Sequence, residues 1–431
     1  MRTVPESQFH LLQSRRFLPL FATQFMGAMN DNLFKQALVV LVTFRLADIL
    51  DINGQLFVTI AAGVFILPFF LFSAMAGQLA DKYEKSRSIR IIKALEVAIM
   101  ALAAIGYFLE QPYFLMGVLF LMGTQSAFFG PLKYGILPDH LHDNELIGGN
   151  ALIEGATFMA ILIGTIAGGL LILTEYGIEL VSIAGVTFAI LGWITSRSIP
   201  EAEAGSPDLE VSVNIVAETG RMVGFVREKK SVFMSVLGIS WFWVVGVTFL
   251  SQFPNFTNVV LGADETVVTL FMAMFSIGIG LGSLLCNRLL KGEVSAKYVA
   301  VGGFFMTIFM LDLSLITWGA LPTPGIIVGY ATFIEQSQNW RILGDLLAIS
   351  IAAGIYTVPL YAVLQRDSER AHRSRTVAAN NILNGLFMVV GSLGITWMLA
   401  ADCSIPQVFL VLALLNLAVA GWMVRLKKMV K

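Results

Sequence analysis

Twelve stretches of about 20 mostly apolar residues, each bounded by charges, proline or glycine, leave this chain few ways to fold. They run roughly over residues 17–45, 55–79, 88–109, 112–132, 147–173, 177–196, 231–252, 264–289, 296–319, 342–365, 376–400 and 405–425. Backbone N–H and C=O groups in hydrocarbon meet no water, so spans of this length must be helices that satisfy themselves. The expected fold class is an all-α polytopic membrane protein with 12 transmembrane helices. Composition points the same way, with 57% hydrophobic and 13% charged residues against about 25% charged in an ordinary soluble domain.

Placement of charge is more informative than its sum. The 28 Lys and Arg nearly cancel the 29 Asp and Glu, giving a net charge of −1. A phosphate-backbone binder needs a broad basic surface, so nucleic acid is not expected as a partner. With the N-terminus inside, however, 25 of the 28 basic residues fall in inside segments, from Arg2, Arg15 and Arg16 through Lys82, Lys85, Arg87, Arg90, Lys93 and Lys133 to Lys431. The exceptions are Lys35, Arg45 and Arg341, while the outside loops carry Asp48, Asp51, Glu175, Glu179, Asp264, Glu265, Glu335 and Asp402. Basic residues stay cytoplasmic, so both termini are predicted to be cytoplasmic. Residues 1 to 16 lack a short apolar core followed by a small-residue cleavage site, so no removable signal peptide is expected.

Residues 197 to 230 form the longest polar stretch and divide the spans six to six. Its later part is amphipathic, with Val213, Val216, Met222, Val223 and Val226 expected on one side and Glu218, Arg221 and Arg227 on the other. The expected organisation is an N-terminal segment 1–16, a six-helix bundle 17–196, a cytoplasmic linker 197–230 with a surface helix, a second bundle 231–425 and a basic tail 426–431. Internal repetition supports the division. Asn150, Gly155 and Gly164 in span five recur as Asn380, Gly385 and Gly394 in span eleven, with Glu154 answered by Asn384. Gly130-Pro131-Leu132-Lys133-Tyr134 is echoed by Val358-Pro359-Leu360-Tyr361, and Gly77-Gln78-Leu79-Ala80-Asp81 by Gly282-Ser283-Leu284-Leu285-Cys286 without the acid. Two halves that both start inside must be parallel repeats about an axis along the membrane normal, the arrangement of major facilitator halves.

Charges inside spans are costly, about 2.5–3.5 kcal/mol at the bilayer centre, and so mark function. Asp31 and Lys35 lie deep in span one among Asn30, Asn32 and Gln36. Spaced i,i+4, they could simply neutralise each other, yet so many polar side chains exceed what one pair needs, and a substrate or coupling role is favoured. Glu154 in span five and Asn380, Asn381 and Asn384 at matching depth in span eleven are further candidates, against a plain reading as interhelical hydrogen bonds. Asp312 and Glu96 are weaker, and Glu96 reads as a local pair with Lys93 near the interface. Gly77 to Arg87 forms the loop after span two. There Gly77 allows close helix approach, and Asp81 is expected to pair with Arg87 or to cap a neighbouring helix in one conformation. Lys133 and Tyr134 are placed in the loop after span four. Trp241, Phe242 and Trp243 could line a cavity or simply pack. The run Arg366 to Arg375, with Glu369 and His372, reads as a solvated loop that could meet lipid headgroups.

Enzyme chemistry finds no foothold. Cys286 and Cys403 are too few for a disulfide scaffold or a four-ligand zinc site, and neither has a His at metal spacing. No Gly-rich phosphate loop or acyltransferase-type His/Asp pattern occurs. No cofactor, metal or catalytic residue is expected.

Four segments together resemble the lysophospholipid transporter family of the major facilitator superfamily. They are Gln24 to Asn32, Gly77 to Arg87, Pro131 to Pro138, and Gly149 to Thr157 with Gly164 and Gly168-Gly169. The likeness is dense over residues 17 to 175 and thin beyond, and Lys35 departs from the family's usual span-one pattern. It implies alternating-access import of lysophospholipid from the outer to the inner leaflet of the bacterial inner membrane, for reacylation. Proton or sodium coupling, contact with membrane lipids and a lipid acyltransferase partner are compatible with it. Some relatives are fused to acyltransferase and acyl-carrier-protein synthetase domains, and this chain is expected to carry neither. Two other functions stay open: an exporter of a drug, siderophore or other metabolite, and a membrane scaffold for an acyltransferase.

Overall fold

The computed structural model describes residues 7–46, 54–320 and 327–430; Arg2, Asp48, Asp51 and Lys431 lie outside them. The first six long helices are α1 (Leu18–Leu41), α2 (Gly54–Lys82), α3 (Lys85–Phe108), α4 (Pro112–Gly135), α5 (Leu146–Ile172) and α6 (Gly177–Ser196). A shorter helix, α7 (Ile215–Glu228), follows. Six more come after it: α8 (Lys230–Asn255), α9 (Glu265–Leu290), α10 (Val299–Ile316), α11 (Asn339–Asp367), α12 (Arg373–Ala400) and α13 (Ile405–Met423). Among the described residues, eleven helices are long and apolar enough to cross a membrane. The exception is α1, whose central Asn30, Asp31, Asn32 and Lys35 interrupt its apolar run. Charges that would be costly against lipid are tolerated there because α1 packs inside the bundle, against α5 and α6.

Each six-helix set repeats one pattern of pairing. The first helix packs on the fifth (α1 on α5, α8 on α12), the second on the fourth (α2 on α4, α9 on α11) and the third on the sixth (α3 on α6, α10 on α13). Equivalent helices α1 and α8 both finish in a π-helical turn, Val42–Leu46 and Phe256–Val260. Small residues set the closeness of the α1/α5 pairing. A Cβ on Gly164 would lie 2.4 Å from the Met29 carbonyl oxygen and one on Gly168 2.3 Å from that of Leu33, so only glycine lets α1 seat this deep. Across the halves, α2 packs on α12 and α5 on α9.

Glu84 caps α3, accepting from the backbone N–H of Ser86 and Arg87. The same carboxylate accepts from the Ala202 N–H at 2.8 Å, and Lys85 donates from its backbone to the Ala202 oxygen and from its ammonium to the Glu203 oxygen. Arg90 holds the Ile199 oxygen, and Gln78 exchanges two hydrogen bonds with the Ser212 backbone. The linker is therefore strapped to the first half before α7 begins. Burial raises the Glu84 carboxyl, but the hydrogen bonds from Ala202, Arg87 and Ser86 outweigh it and hold the group below its ordinary value of 4.5.

The buried stripe of α7 differs from the expected one. Glu218, Met222 and Val226, spaced i,i+4, face the bundle, while Val213 and Val216 are exposed. Glu218 can be buried because Arg221 reaches back to it at 3.2 Å. The ring of Phe225 stacks on His372, 4.3 Å between centroids.

Candidate functional site

Polar side chains gather in the interior of the first half, where α1, α3, α4 and α5 meet. Asp31 on α1 accepts from Ser126 on α4 at 2.6 Å, and its other oxygen, Oδ1, has no hydrogen-bond partner. Lys35 does not pair with Asp31. Its ammonium donates to Asn32 Oδ1 at 3.2 Å and lies over the Phe65 ring, 5.4 Å from the centroid. The i,i+4 neutralisation open to these two residues is thus not made, because each is drawn to a different neighbour.

Glu96 and Lys93 form an ion pair at 2.6 Å, both fully buried, well inside the bundle rather than near an interface. Glu96 also accepts from Asn30 at 3.2 Å and from Gln125 at 2.9 Å, and Lys93 sits 4.3 Å from the centre of the Phe129 ring. A span-three pair that looked peripheral therefore ties α3 to α1 and α4. Lys93 consequently does not belong with the loop charges.

Lys133 and Tyr134 are in the last turns of α4, not in a loop, since the helix runs through Pro131 to Gly135. Tyr134 donates to Glu154 on α5. Lys133 lies over the Tyr134 ring at 4.3 Å and within electrostatic reach of Glu154, Lys93 and Asp31. Among the described residues neither Lys35 nor Lys133 has a carboxylate within ion-pair distance, unlike Lys93. Three acids and three bases (Asp31, Glu96, Glu154, Lys35, Lys93, Lys133) share this interior, so it is close to neutral without every charge being individually paired.

The facing surface of the second half is uncharged and aromatic. Tyr361 on α11 stacks flat on Tyr134, 4.6 Å between centroids with 7° between planes. Trp243 on α8 donates to the Tyr361 hydroxyl at 3.3 Å and stacks on Phe158. Asn384 accepts from Ser240 at 2.9 Å, and Asn380 is fully buried with neither side-chain polar atom hydrogen-bonded. Trp241 donates instead to Asn416 at 2.8 Å, away from this group. Asp312 stands apart as well, in an ion pair with Arg341. Sequence reasoning missed Gln125 and Ser126, although Thr124-Gln125-Ser126 is a polar triplet inside an apolar span, and passed over Tyr361 although it lies in the repeated Val358 to Tyr361 segment.

A second cluster joins the halves at the end where the linker lies, the basic end. Asp81 does not pair with Arg87, which is exposed. Its carboxylate caps α12 across the half boundary, accepting from the backbone N–H of Ser374 at 2.9 Å and of Arg375 at 3.1 Å, and from the Arg375 guanidinium at 3.1 Å. A Cβ on Gly77 would meet Ala378 at 2.7 Å and the Arg375 backbone at 2.9 Å, so glycine is what allows this approach. Beside it Asp139 pairs with Lys85 at 3.0 Å and with Arg373 at 3.4 Å. Asn150 and Gln365 exchange two amide hydrogen bonds, at 2.7 and 3.0 Å. The Arg366 to Arg375 run is therefore not a solvated loop, because Arg370, Arg373 and Arg375 all pair with carboxylates of the first half.

A sequence profile of the Major Facilitator Superfamily matches residues 20–392. Among curated proteins, the chain is 27% identical to the lysophospholipid transporter LplT of Serratia proteamaculans (strain 568) over 378 residues, 86% of this chain and 85% of that protein. It is 28% identical to LplT of Escherichia coli (strain SE11) over 411 residues, covering 92% and 91% of the two chains. Among solved structures it resembles the major facilitator transporter FucP in the outward conformation, with a TM-score of 0.69 at 13% identity over 95% of this chain and 98% of that one. The human organic anion transporter MFSD10 aligns with a TM-score of 0.72 at 12% identity over 97% and 99%.

Proposed function

The chain belongs to the Major Facilitator Superfamily, and on that premise we propose that it moves lysophospholipids across the bacterial inner membrane by alternating access, from outer to inner leaflet, where reacylation would follow. One observation carries the reading: the interior is charged on one side and aromatic on the other. Among the described residues Asp31 offers an unpartnered carboxylate oxygen, and Lys35 and Lys133 are ammoniums without a carboxylate partner. A phosphoethanolamine headgroup presents the complementary pair, an ammonium for Asp31 and a phosphate for the two lysines. The uncharged surface of Tyr361, Trp243 and Phe158 suits the apolar remainder of the same molecule. Relatives named as lysophospholipid transporters support the substrate class.

In this reading Asp31, Lys35 and Lys133 hold the headgroup, with Asn32 positioning Lys35. Glu154 fixes Tyr134 against Tyr361, and Asn380 and Asn384 line the second half. Lys93 and Glu96 position α1 rather than touch substrate. The basic end is assigned to the cytoplasm, with both termini there, following the distribution of Lys and Arg. Asp81, Gly77 and Arg375 then latch the cytoplasmic side in the present conformation. Opening inward requires the Asp81 cap and the Asn150–Gln365 pair to break.

The deciding experiment is uptake of labelled lysophosphatidylethanolamine by proteoliposomes containing the purified protein. Accumulation in the inner leaflet above empty vesicles is expected. An empty-vesicle level, with a labelled drug or siderophore transported instead, would replace the lipid by a soluble metabolite.

A further inference from the structure

A second feature of the molecule lies outside the central site. Helices α12 and α13 are joined by the short turn 401–404, yet they touch little beyond it, because α12 packs on α8 and α2 while α13 packs on α10. The gap is a cleft of about 530 Å³ floored by α8 and open to the side, at the end opposite the linker. Its walls are apolar, with Val244, Phe387, Val390, Ile395, Leu412 and Leu415 prominent. Along α12 it extends from Leu386 to Met398, about 18 Å at the helical rise, enough for much of a fatty acyl chain. Gly394 leaves the wall open, since a Cβ there would meet nothing within 4 Å.

Next to the cleft along the same helices lies a second cavity of about 530 Å³ with a polar rim of Gln252, Asn255, Thr317, Ser404 and Gln407. The two are neighbours on all three helices: Thr248 lines the first cavity and Gln252, one turn on, the second, and so do Met398 and Leu399 on α12 and Val408 and Gln407 on α13. Gln252 is only 6% exposed, and among the described residues its side-chain oxygen has no hydrogen-bond partner. Leaving a buried acceptor unmet is costly, so this group is matched to a donor from outside the chain. The rim carries no charge, which suits a glycerol hydroxyl better than a phosphate or ammonium.

Resting on the lysophospholipid reading above, we propose that the α12/α13 cleft is an entry slot for one acyl chain, and that Gln252 reads the free glycerol hydroxyl that distinguishes a single-chain phospholipid from a diacyl lipid. A diacyl lipid has an ester in place of that hydroxyl and cannot donate to Gln252, and its second chain has no second slot.

The test uses the purified protein in nanodiscs with two photoactivatable probes sharing one diazirine acyl chain, lysophosphatidylethanolamine and diacyl phosphatidylethanolamine. Adducts are mapped by mass spectrometry. The lysolipid is expected to label cleft residues of α12 and α13 about tenfold more than the diacyl lipid, the worth of one buried hydrogen bond. Gln252→Met should bring that ratio close to one, and Gly394→Trp should remove cleft labelling by both probes without altering the melting temperature. Equal labelling of the unmodified protein by the two lipids, or an unchanged ratio in Gln252→Met, would overturn the proposal and reduce the cleft to a place where bulk lipid packs. Lysolipid uptake measured in parallel separates the two readings. Selective labelling without uptake sinks transport alone, and uptake without selective labelling sinks the slot alone.

Discussion

Asp31 accepts one hydrogen bond where a carboxylate can accept several, and that shortfall makes it the first residue to change. Asp31→Asn keeps the Ser126 contact and the volume but removes the charge. Uptake of a zwitterionic lysolipid should fall at least about tenfold with folding intact, as a hydrogen bond to a charged group is worth about 1.5–3 kcal/mol. Near-normal rates in the proteoliposome assay would take Asp31 out of the site. Glu96 behaves differently because all its contacts are internal. Glu96→Gln leaves the Lys93 ammonium buried without its counter-ion, a loss of about 3–5 kcal/mol by analogy with other broken buried pairs. The double variant Lys93→Met/Glu96→Gln should recover most of the thermal stability, and a scan of melting temperature for the three proteins checks it. Sequence spacing flagged Asp31, Lys35 and Glu154 as charges in spans. It anticipated the Lys93–Glu96 pair but not its bonds to Asn30 and Gln125, and it left the Asp31–Lys35 relation open, because partners on other helices are distant in sequence.

Two elements govern how the halves meet. The α2/α12 contact depends on Gly77 and Asp81, so Gly77→Val and Asp81→Asn should both loosen the basic end. For Asp81→Asn the loss of a charge-assisted cap and an ion pair is worth roughly 1.5–3 kcal/mol, a shift of tenfold or more toward the other conformation. Thiol labelling of a cysteine introduced at Ala378 should rise accordingly, and an unchanged rate would remove the latch. The linker strap gives a pH dependence. Because the folded Glu84 carboxyl titrates below 4.5, its contribution is fully present above the unfolded value and is lost as pH falls through the lower folded value. Hydrogen exchange of residues 199–212 should therefore quicken below about pH 4.5, and Glu84→Gln should be fast at all pH values. The Gly, Asp and basic cluster of the Gly77 to Arg87 segment was visible in the sequence. Its partner was not, because Arg375 lies 294 positions from Asp81 in a run that by composition looks like any solvated loop.

At the scale of the whole molecule, the halves share one pairing pattern but divide the chemistry of the central interior unequally, with its charges on the first half and only aromatic and amide groups facing them from the second. If the basic end is cytoplasmic, a cysteine at Ser198 or Lys427 should react with an impermeant thiol reagent only in inverted membranes, and one at Tyr176 only in right-side-out ones. The sequence by itself determined the number of spans, the sorting of basic and acidic residues between alternating loops, the six-to-six division and the presence of charges within spans. All of these are one-dimensional properties, fixed by the length of hydrocarbon a helix must cross and by the cost of moving charge through it. Only the tertiary structure decided which charges find partners, that Lys133 and Tyr134 belong to a helix, that α7 buries Glu218 rather than Val216, and that Asp81 reaches across to α12. Those outcomes depend on distance between helices far apart in the chain, and a side chain's nearest neighbour in space is set by packing, which residue spacing along one helix does not encode.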